Sequence, residues 1–236
     1  MNQLDADEIR LFYESVEDVW PKDDLWHQYS KKEIEHYILS QSFASDAYIL
    51  NAGSGGNTYD LSYRMHHVDI VKDKIKCHPE YTVCSIETLP FAQNVFSDVL
   101  CVGSVLNYCD ALSAISELSR VLKQNGRLIL EFESSWGFEH IRKKEYKQSA
   151  SLVDLSYFGE SHKQWVYAPS YIKEVLKQSG FSITHLHQFH YMSGLHYSMN
   201  QNENEAAKYT CFDAICRIIP YIKLHANNII FSCLKL

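Results

Sequence analysis

Hydrophobic and polar positions fall into two regimes along the chain. Short, nearly continuous apolar runs recur at "AYILNAG" (47–53), "MHHVDI" (65–70), "YTVCSI" (81–86), "SDVLCVG" (97–103) and "GRLILEFE" (126–133). All five read as strands; the first reads as buried, and the fourth, continuous and apolar, predicts a strand buried on both faces of a parallel sheet. Between and around them the period changes to that of a helix. Leu112, Ile115, Leu118 and Leu122 form one stripe over 111–123, ended by Asn125-Gly126. Ser170 opens a second helix, with Ile172, Val175 and Leu176 inward and Gly180 as its stop. "FSITHLHQFHYM" and "NNIIFSCLKL" read as late strands separated by a helix near 204–218. Residues 1–45 read as two helical pieces broken at Pro21. The second begins at a capping box, Ser30 with Glu33, and turns Ile34 and Ile38 inward. Strands alternating with helices predict an α/β fold around a mostly parallel sheet with helices on both faces.

Composition narrows the function. Hydrophobic residues make up 46% of the 236, enough for a substantial core. The net charge of −7 counts against a nucleic-acid partner, whose phosphates attract basic surfaces. Seven cysteines without a C-x-x-C, mostly in apolar runs, suit buried thiols in a reducing compartment. No apolar run approaches the ~18 residues of a membrane span, and the acidic N-terminus has no signal core. The expectation is a cytoplasmic protein that does not enter a membrane.

In open α/β sheets ligands sit beyond the C-terminal ends of the strands. That rule puts Asn51–Asn57, Asp69–Ile70, Ser85–Glu87 and Gly103–Asn107 on one rim. The glycine turn does not spell the G-x-G-x-x-G of a dinucleotide site, because its third glycine would fall at Thr58. The order of signals is instead a strand into a glycine turn, a strand ending in Asp69, "SIETLPF" (85–91), the strand start "SDVL", and "ISELSRVLKQNGRLIL" (115–130).

This order resembles the class I S-adenosylmethionine-dependent methyltransferases, in particular the branch with ubiquinone and menaquinone methylation enzymes and many small-molecule methyltransferases. The resemblance covers residues ~47 to 132. It implies a Rossmann-like sheet with an antiparallel last strand, S-adenosylmethionine as cofactor and S-adenosylhomocysteine as product. Gly53 and Gly55 would let the backbone pass under the methionine half, where a Cβ would collide. Asp69 would accept from the ribose hydroxyls. Ile86 would offer a backbone N–H and an apolar face to adenine. Gly103 and Ser104 would lie beside the methionine half. Asn51, Ala52, Ser54, Ile70, Ser85, Glu87 and Tyr108 complete the implied cofactor site. Three departures stand out. Asn51 and Ser85 replace acids usual at their positions, and only twelve positions separate Asn57 from Asp69. The connection there is expected to be short or irregular in place of a full first helix.

No motif fixes a catalytic base. Substrate contacts in this fold imply Tyr13, Trp26, His27 and Tyr29 from the N-terminal segment, Asn107 and Tyr108 after the fourth strand, and Glu133, Trp136, Phe138 and His140 after the fifth. His140, Tyr29 and Tyr13 are the catalytic candidates. Residues 136–171 add Tyr146, Tyr157, Phe158, His162, Trp165, Tyr167 and Tyr171. This aromatic insert reads either as a lid over a flat or apolar small molecule or as cover for a sheet edge. His185, His187 and His190 form H-x-H-x-x-H, which reads as a solvated strand face in preference to a metal site, since no nearby Cys or carboxylate completes a ligand set. The expected organisation is a single unit of 1–236: a helical cap (1–45), a cofactor-binding core (46–135), the insert (136–171) and the rest of the core (172–236). The expected partner is a small-molecule methyl acceptor, and the resemblance admits a homodimer. A cofactor-binding relative without turnover, or a methyltransferase of protein or RNA, is the rival reading.

Overall fold

The computed structural model describes residues 4–157 and 160–236. Phe158, one of the insert aromatics, lies outside them. The strands are β1 (Tyr48–Ala52), β2 (Arg64–Asp69), β3 (Tyr81–Val83), β4 (Phe96–Cys101), β5 (Leu122–Glu133), β6 (Ala150–Tyr157), β7 (Glu160–Tyr167), β8 (Phe181–Phe189) and β9 (Asn228–Lys235). The helices are α1 (Ala6–Ser15), α2 (Leu25–Leu39), α3 (Lys72–Ile75), α4 (Ala111–Val121), α5 (Pro169–Gln178), α6 (Met192–Asn200), α7 (Glu203–Ala207) and α8 (Asp213–Cys216).

Seven strands form one sheet in the order β3-β2-β1-β4-β5-β9-β8. β1 to β5 pair in parallel, and β9 runs antiparallel to both β5 and β8. β9, the antiparallel strand expected from the resemblance, is therefore inside the sheet, between β5 and β8. Successive residues of the central strands bury on opposite faces, as the continuous apolar runs require. Leu50, Val99, Leu128 and Phe231 face α4 and α5, while Ile49, Leu100, Ile129 and Ile230 face α2.

Several boundaries move. α2 starts at Leu25 with Asp24 as its cap, whose Oδ1 accepts the His27 N–H at 3.0 Å. Ser30 is thus inside the helix, and its hydroxyl donates back to the Trp26 carbonyl. Glu33 faces His187 and Arg217 across the domain instead of closing a capping box. α4 stops at Val121, because the chain then extends to pair Leu122 with Phe96. Asn125, at φ +59°, takes the left-handed position expected of the Asn-Gly pair. The single helix expected near 204–218 is broken into α7, a 3-10 turn and α8.

The insert holds a two-stranded antiparallel sheet of its own, β6 with β7. Its register places Leu152 opposite Trp165 and Ala150 opposite Tyr167. Trp165 and Tyr171 pack on the main core and Tyr167 is buried in it. These three aromatics pack on the core on the α4 and α5 face of the sheet, and Tyr167 bridges to Ser134 just beyond β5. No disulfide forms: all seven cysteines are free thiols.

Candidate active site

β1 delivers the chain into the turn Gly53–Gly56, and one oxygen of Asp69 ties that turn while its other caps the backbone after β2. Asp69 Oδ2 accepts the Gly55 N–H at 2.8 Å and its Oδ1 accepts the Val71 N–H at 2.9 Å. Gly53 sits at φ +71°, and a Cβ there would lie 2.3 Å from a Val105 methyl. Both the backbone region and the space exclude a side chain. The stretch from Gly53 to Tyr63 contains no helix, as the short spacing predicts. Asn57 Oδ1 accepts the Tyr59 N–H at 2.9 Å, and Tyr59 buries its ring in the α2 face of the core.

A cavity of about 230 Å³ opens at this rim. Gly53, Ser54, Gly55, Asp69, Ile70, Ser85, Ile86, Glu87, Gly103, Ser104 and Tyr108 all line it, so eleven of the thirteen cofactor candidates converge. Asn51 and Ala52 do not. Ala52 is fully buried beneath the turn, and the Asn51 amide turns away to donate to the Asn57 carbonyl at 2.7 Å. Asn51 braces the loop from behind. Ser85 accepts the Glu87 N–H at 3.1 Å, and Glu87 in turn accepts the Asp110 N–H at 2.6 Å, which sets the wall around Ile86.

The catalytic candidates separate. Tyr13 lines the cavity and meets the Tyr108 ring edge-on at 5.5 Å. Burial pushes its hydroxyl far above the usual phenol range, so it stays a neutral donor. Tyr29 and His140 are not among the lining residues. The Tyr29 hydroxyl donates to Asp213 at 3.0 Å, and Asp213 also accepts the backbone N–H groups of His190 and Tyr191. His140 is buried, with Nδ1 3.1 Å from Glu145. Each bonds a carboxylate that does not line the cavity. Of the H-x-H-x-x-H histidines, His187 pairs with Glu33 at 2.8 Å and His185 is exposed. His190 is buried flat against Trp26, ring centres 3.7 Å apart, with Ser30 and Ser193 on its two nitrogens. These contacts hold them as structural residues, with the solvated-face reading surviving only for His185.

His27 does line the cavity, and its Nδ1 lies 2.6 Å from Asp24 Oδ2. Burial works to raise the Asp24 carboxyl, but its bond to the His27 side chain and those to the backbone N–H groups of Trp26 and His27 together hold the group below its ordinary value. A histidine whose Nδ1 is held by a carboxylate presents its other nitrogen for proton transfer. Glu133 completes a polar wall: it accepts from the Ser104 hydroxyl at 2.9 Å and from the Gln164 amide. From the insert, Glu139, Leu155, His162 and Gln164 reach the cavity, whereas Trp136, Phe138, Trp165 and Tyr167 do not.

Glu131, overlooked in the sequence, is the most unusual group present. It is fully buried yet lines the cavity beside Gly103. Its oxygens accept the Ser104 N–H at 2.6 Å and the Asn228 amide at 2.8 Å, and no cation among the described residues bonds it. Burial raises its carboxyl to about 7 against those two donors. The signal in the sequence was an acid inside the apolar run "LILEFE".

The fold defined by this sheet order and this rim is that of the S-adenosylmethionine-dependent methyltransferases. Residues 47–130 match the family described as "Methyltransferase domain". Over 81 residues the chain is 33% identical to a ubiquinone/menaquinone biosynthesis C-methyltransferase of Geotalea uraniireducens, spanning 32% of this chain and 34% of that one. Geranyl diphosphate C-methyltransferase from Streptomyces coelicolor shares the fold, with a TM-score of 0.58, 12% identity, and 98% and 97% of the two chains covered. The fold is shared too with the [4+2]-cyclase SpnF, with a TM-score of 0.57, 16% identity, and 92% and 85% covered. No helix among the described residues is long and apolar enough to cross a membrane.

Proposed function

We propose that the chain binds S-adenosylmethionine at the β1–β4 rim and transfers its methyl group to a small molecule held beneath α1 and α2. The observation that carries this is the convergence of the glycine turn, Asp69, Ile86 and Gly103–Ser104 on one cavity. The cavity's chemistry fits the group. The turn glycines offer a cradle without side chains, and Glu131 is a buried carboxylate beside Gly103 with no cation of its own among the described residues. Glu131 takes over the countercharge that Asn51 lacks, for the methionine ammonium. Asp69, beyond its two backbone bonds, keeps lone pairs for the ribose hydroxyls. Ile86 and Ser85 form the adenine wall.

When bound, S-adenosylmethionine supplies an electrophilic methyl on a sulfonium. The protein's own part is alignment and dryness. Trp20, from the α1–α2 connection, lies against Gly103 and covers the rim from solvent. Lys74 fastens that connection through the Val16 and Glu17 carbonyls. Tyr13 positions the acceptor as a hydrogen-bond donor. His27, oriented by Asp24, takes a proton from an acceptor that carries one.

Calorimetry with S-adenosylhomocysteine tests the reading. The expected result is binding in the micromolar range, roughly −8 kcal/mol. No heat and no thermal shift at millimolar ligand would sink it. A fold shared with a cyclase keeps a second reading in play, a cofactor-holding protein without transfer. Binding without methylation of any acceptor would support that reading.

A further inference from the structure

α6 and α7 carry Tyr197 and Glu203 to the cavity, and the chain that follows them turns its outer side to solvent. That stretch is coiled without being one regular helix: a 3-10 turn (Lys208–Phe212), α8, and a second 3-10 turn (Ile222–Leu224). Bonds from the Ile218 N–H to the Ile215 carbonyl and from the Leu224 N–H to the Tyr221 carbonyl keep the step near three residues. At that step side chains three apart stack on one side. Tyr209, Phe212, Ile215, Ile218, Tyr221 and Leu224 fall at this spacing, and all six are exposed, Ile218 at 77% and Tyr221 at 81%. The rings of Tyr209 and Phe212 lie 6.4 Å apart. The inner side of the same stretch is apolar as well: Cys216 and Ile222 pack with Tyr191 and Ala226 in a small core of their own. Tyr221 is held outward at φ +71°, a backbone region that a bulky side chain rarely adopts.

A helical stretch on a protein surface is normally polar on its outer side, and one that is apolar all round is normally buried. The six outer side chains expose on the order of 600 Å², reckoned from about 150–250 Å² for a whole aromatic side chain. The largest apolar patch of an ordinary monomer is roughly 300–600 Å², and a stable protein contact covers about 800 Å² on each partner. The area therefore suits a protein contact, and charge selects the partner. Lys208 is bonded to Glu205 at 2.7 Å and Arg217 to Glu33 at 2.6 Å. The one acid between 206 and 225, Asp213, is buried. Lys223 alone of the three cations has no carboxylate partner among the described residues. A stretch that lies on a lipid surface is rich in free Lys and Arg, and a face that docks a charged partner keeps opposite charges to meet it. A face that meets its own copy about a two-fold axis does best with little net charge, because any charge confronts itself. Two chains of net charge −7 also repel least where their charges are already paired. We infer that this stripe is the interface of a homodimer, two copies packed about a two-fold axis through Ile215, Ile218 and Tyr221. The inference stands apart from the cofactor reading.

Sedimentation velocity of the full chain from about 1 to 200 µM tests it. The expected result is a shift from the mass of one chain to that of two within this range, and no further. Ile218→Glu and Tyr221→Glu each set like charges against one another across the axis and raise the dissociation constant at least about tenfold. Leu112→Glu, at an exposed leucine of α4, leaves it unchanged. Circular dichroism reports whether the variants fold, and the wild type decides the matter even if they do not. Its hydrogen exchange in 208–225 is expected to slow at least about threefold from the dilute to the concentrated end, with 111–121 unchanged. One chain at every concentration overturns the inference. So does a dimer that both stripe variants leave intact, unaltered exchange in 208–225, or growth past two chains, which would mean a head-to-tail contact. A monomer that floats with phosphatidylcholine or phosphatidylserine vesicles, and loses this in Ile218→Glu, would give the stripe to a lipid surface and overturn it as well.

Discussion

Asp69 reaches back across the rim to accept the Gly55 N–H at 2.8 Å, so one carboxylate both closes the glycine turn and lines the cavity. Asp69→Ala is expected to weaken S-adenosylhomocysteine binding by about 1–3 kcal/mol through loss of a charged acceptor. It is also expected to cost about 1–2 kcal/mol of stability, since the Gly55 and Val71 N–H groups lose their partner. Calorimetry and denaturant unfolding measure the two effects. Full affinity with a collapsed melting temperature would reduce Asp69 to a turn cap.

Glu131 is expected to set a pH dependence of its own. Its carboxyl is raised to about 7 by burial, from 4.5 in a free chain. Between those values the folded protein holds a proton that the unfolded chain has released, so stability is full below pH ~4.5 and falls until pH ~7. The gap corresponds to roughly 3 kcal/mol. His67 and His190, held down to about 4 and about 3 by burial, work in the opposite direction below their ordinary value. The Glu131→Gln variant isolates the effect. Its melting temperature is expected to gain on the wild type steadily from pH 4.5 to 7, while its S-adenosylhomocysteine affinity drops on the order of tenfold or more. A constant gap between the two pH curves would remove the assigned shift.

Tyr29→Phe separates a tie from a catalytic group. The hydroxyl bonds Asp213, and the variant is expected to lose about 1 kcal/mol of stability with turnover within a few-fold of wild type. His140→Gln should behave alike, because Glu145 is its only side-chain partner among the described residues. A loss of turnover by either variant at unchanged stability would return it to the active site.

His27→Ala and Asp24→Asn are expected to act on rate instead. If His27 takes a proton during transfer, its loss lowers turnover by roughly 10²–10⁴ and leaves cofactor affinity untouched. Asp24→Asn should lower it less and displace the pH–rate profile, since the imidazole loses its carboxylate partner. A profile identical to wild type would make Asp24 a helix cap alone.

The rim could be read from the sequence because its signals are local. A strand buried on both faces spells itself as an apolar run, and a turn that excludes Cβ atoms spells itself in glycine. Even the missing helix between β1 and β2 followed from spacing. What stayed illegible depends on partners far away in the chain. Tyr29 is tied to Asp213, 184 positions on, and nothing near either residue announces the pair. β6 and β7 carry too few apolar residues to stand out from a loop, and β7 is anchored by Tyr167, which is buried in the core. Glu131 sat inside a run read only for its hydrophobicity. Trp26 and Tyr197 meet through the packing of α2 against α6, an element that had no clear periodicity.

The place of β9 governs how the molecule can assemble. Its residues pair Leu128 with Cys233 on one side and Leu186 with Phe231 on the other. The first of these contacts closes a loop of about a hundred residues, a slow step on entropic grounds. Until it closes, β5 presents an open, apolar edge to any other strand, and β8 has no partner in the sheet. The topology predicts a folding species whose β1–β5 half is formed and whose flank is adhesive. The yield of native protein should then fall with concentration during refolding, through an edge that the finished sheet no longer exposes.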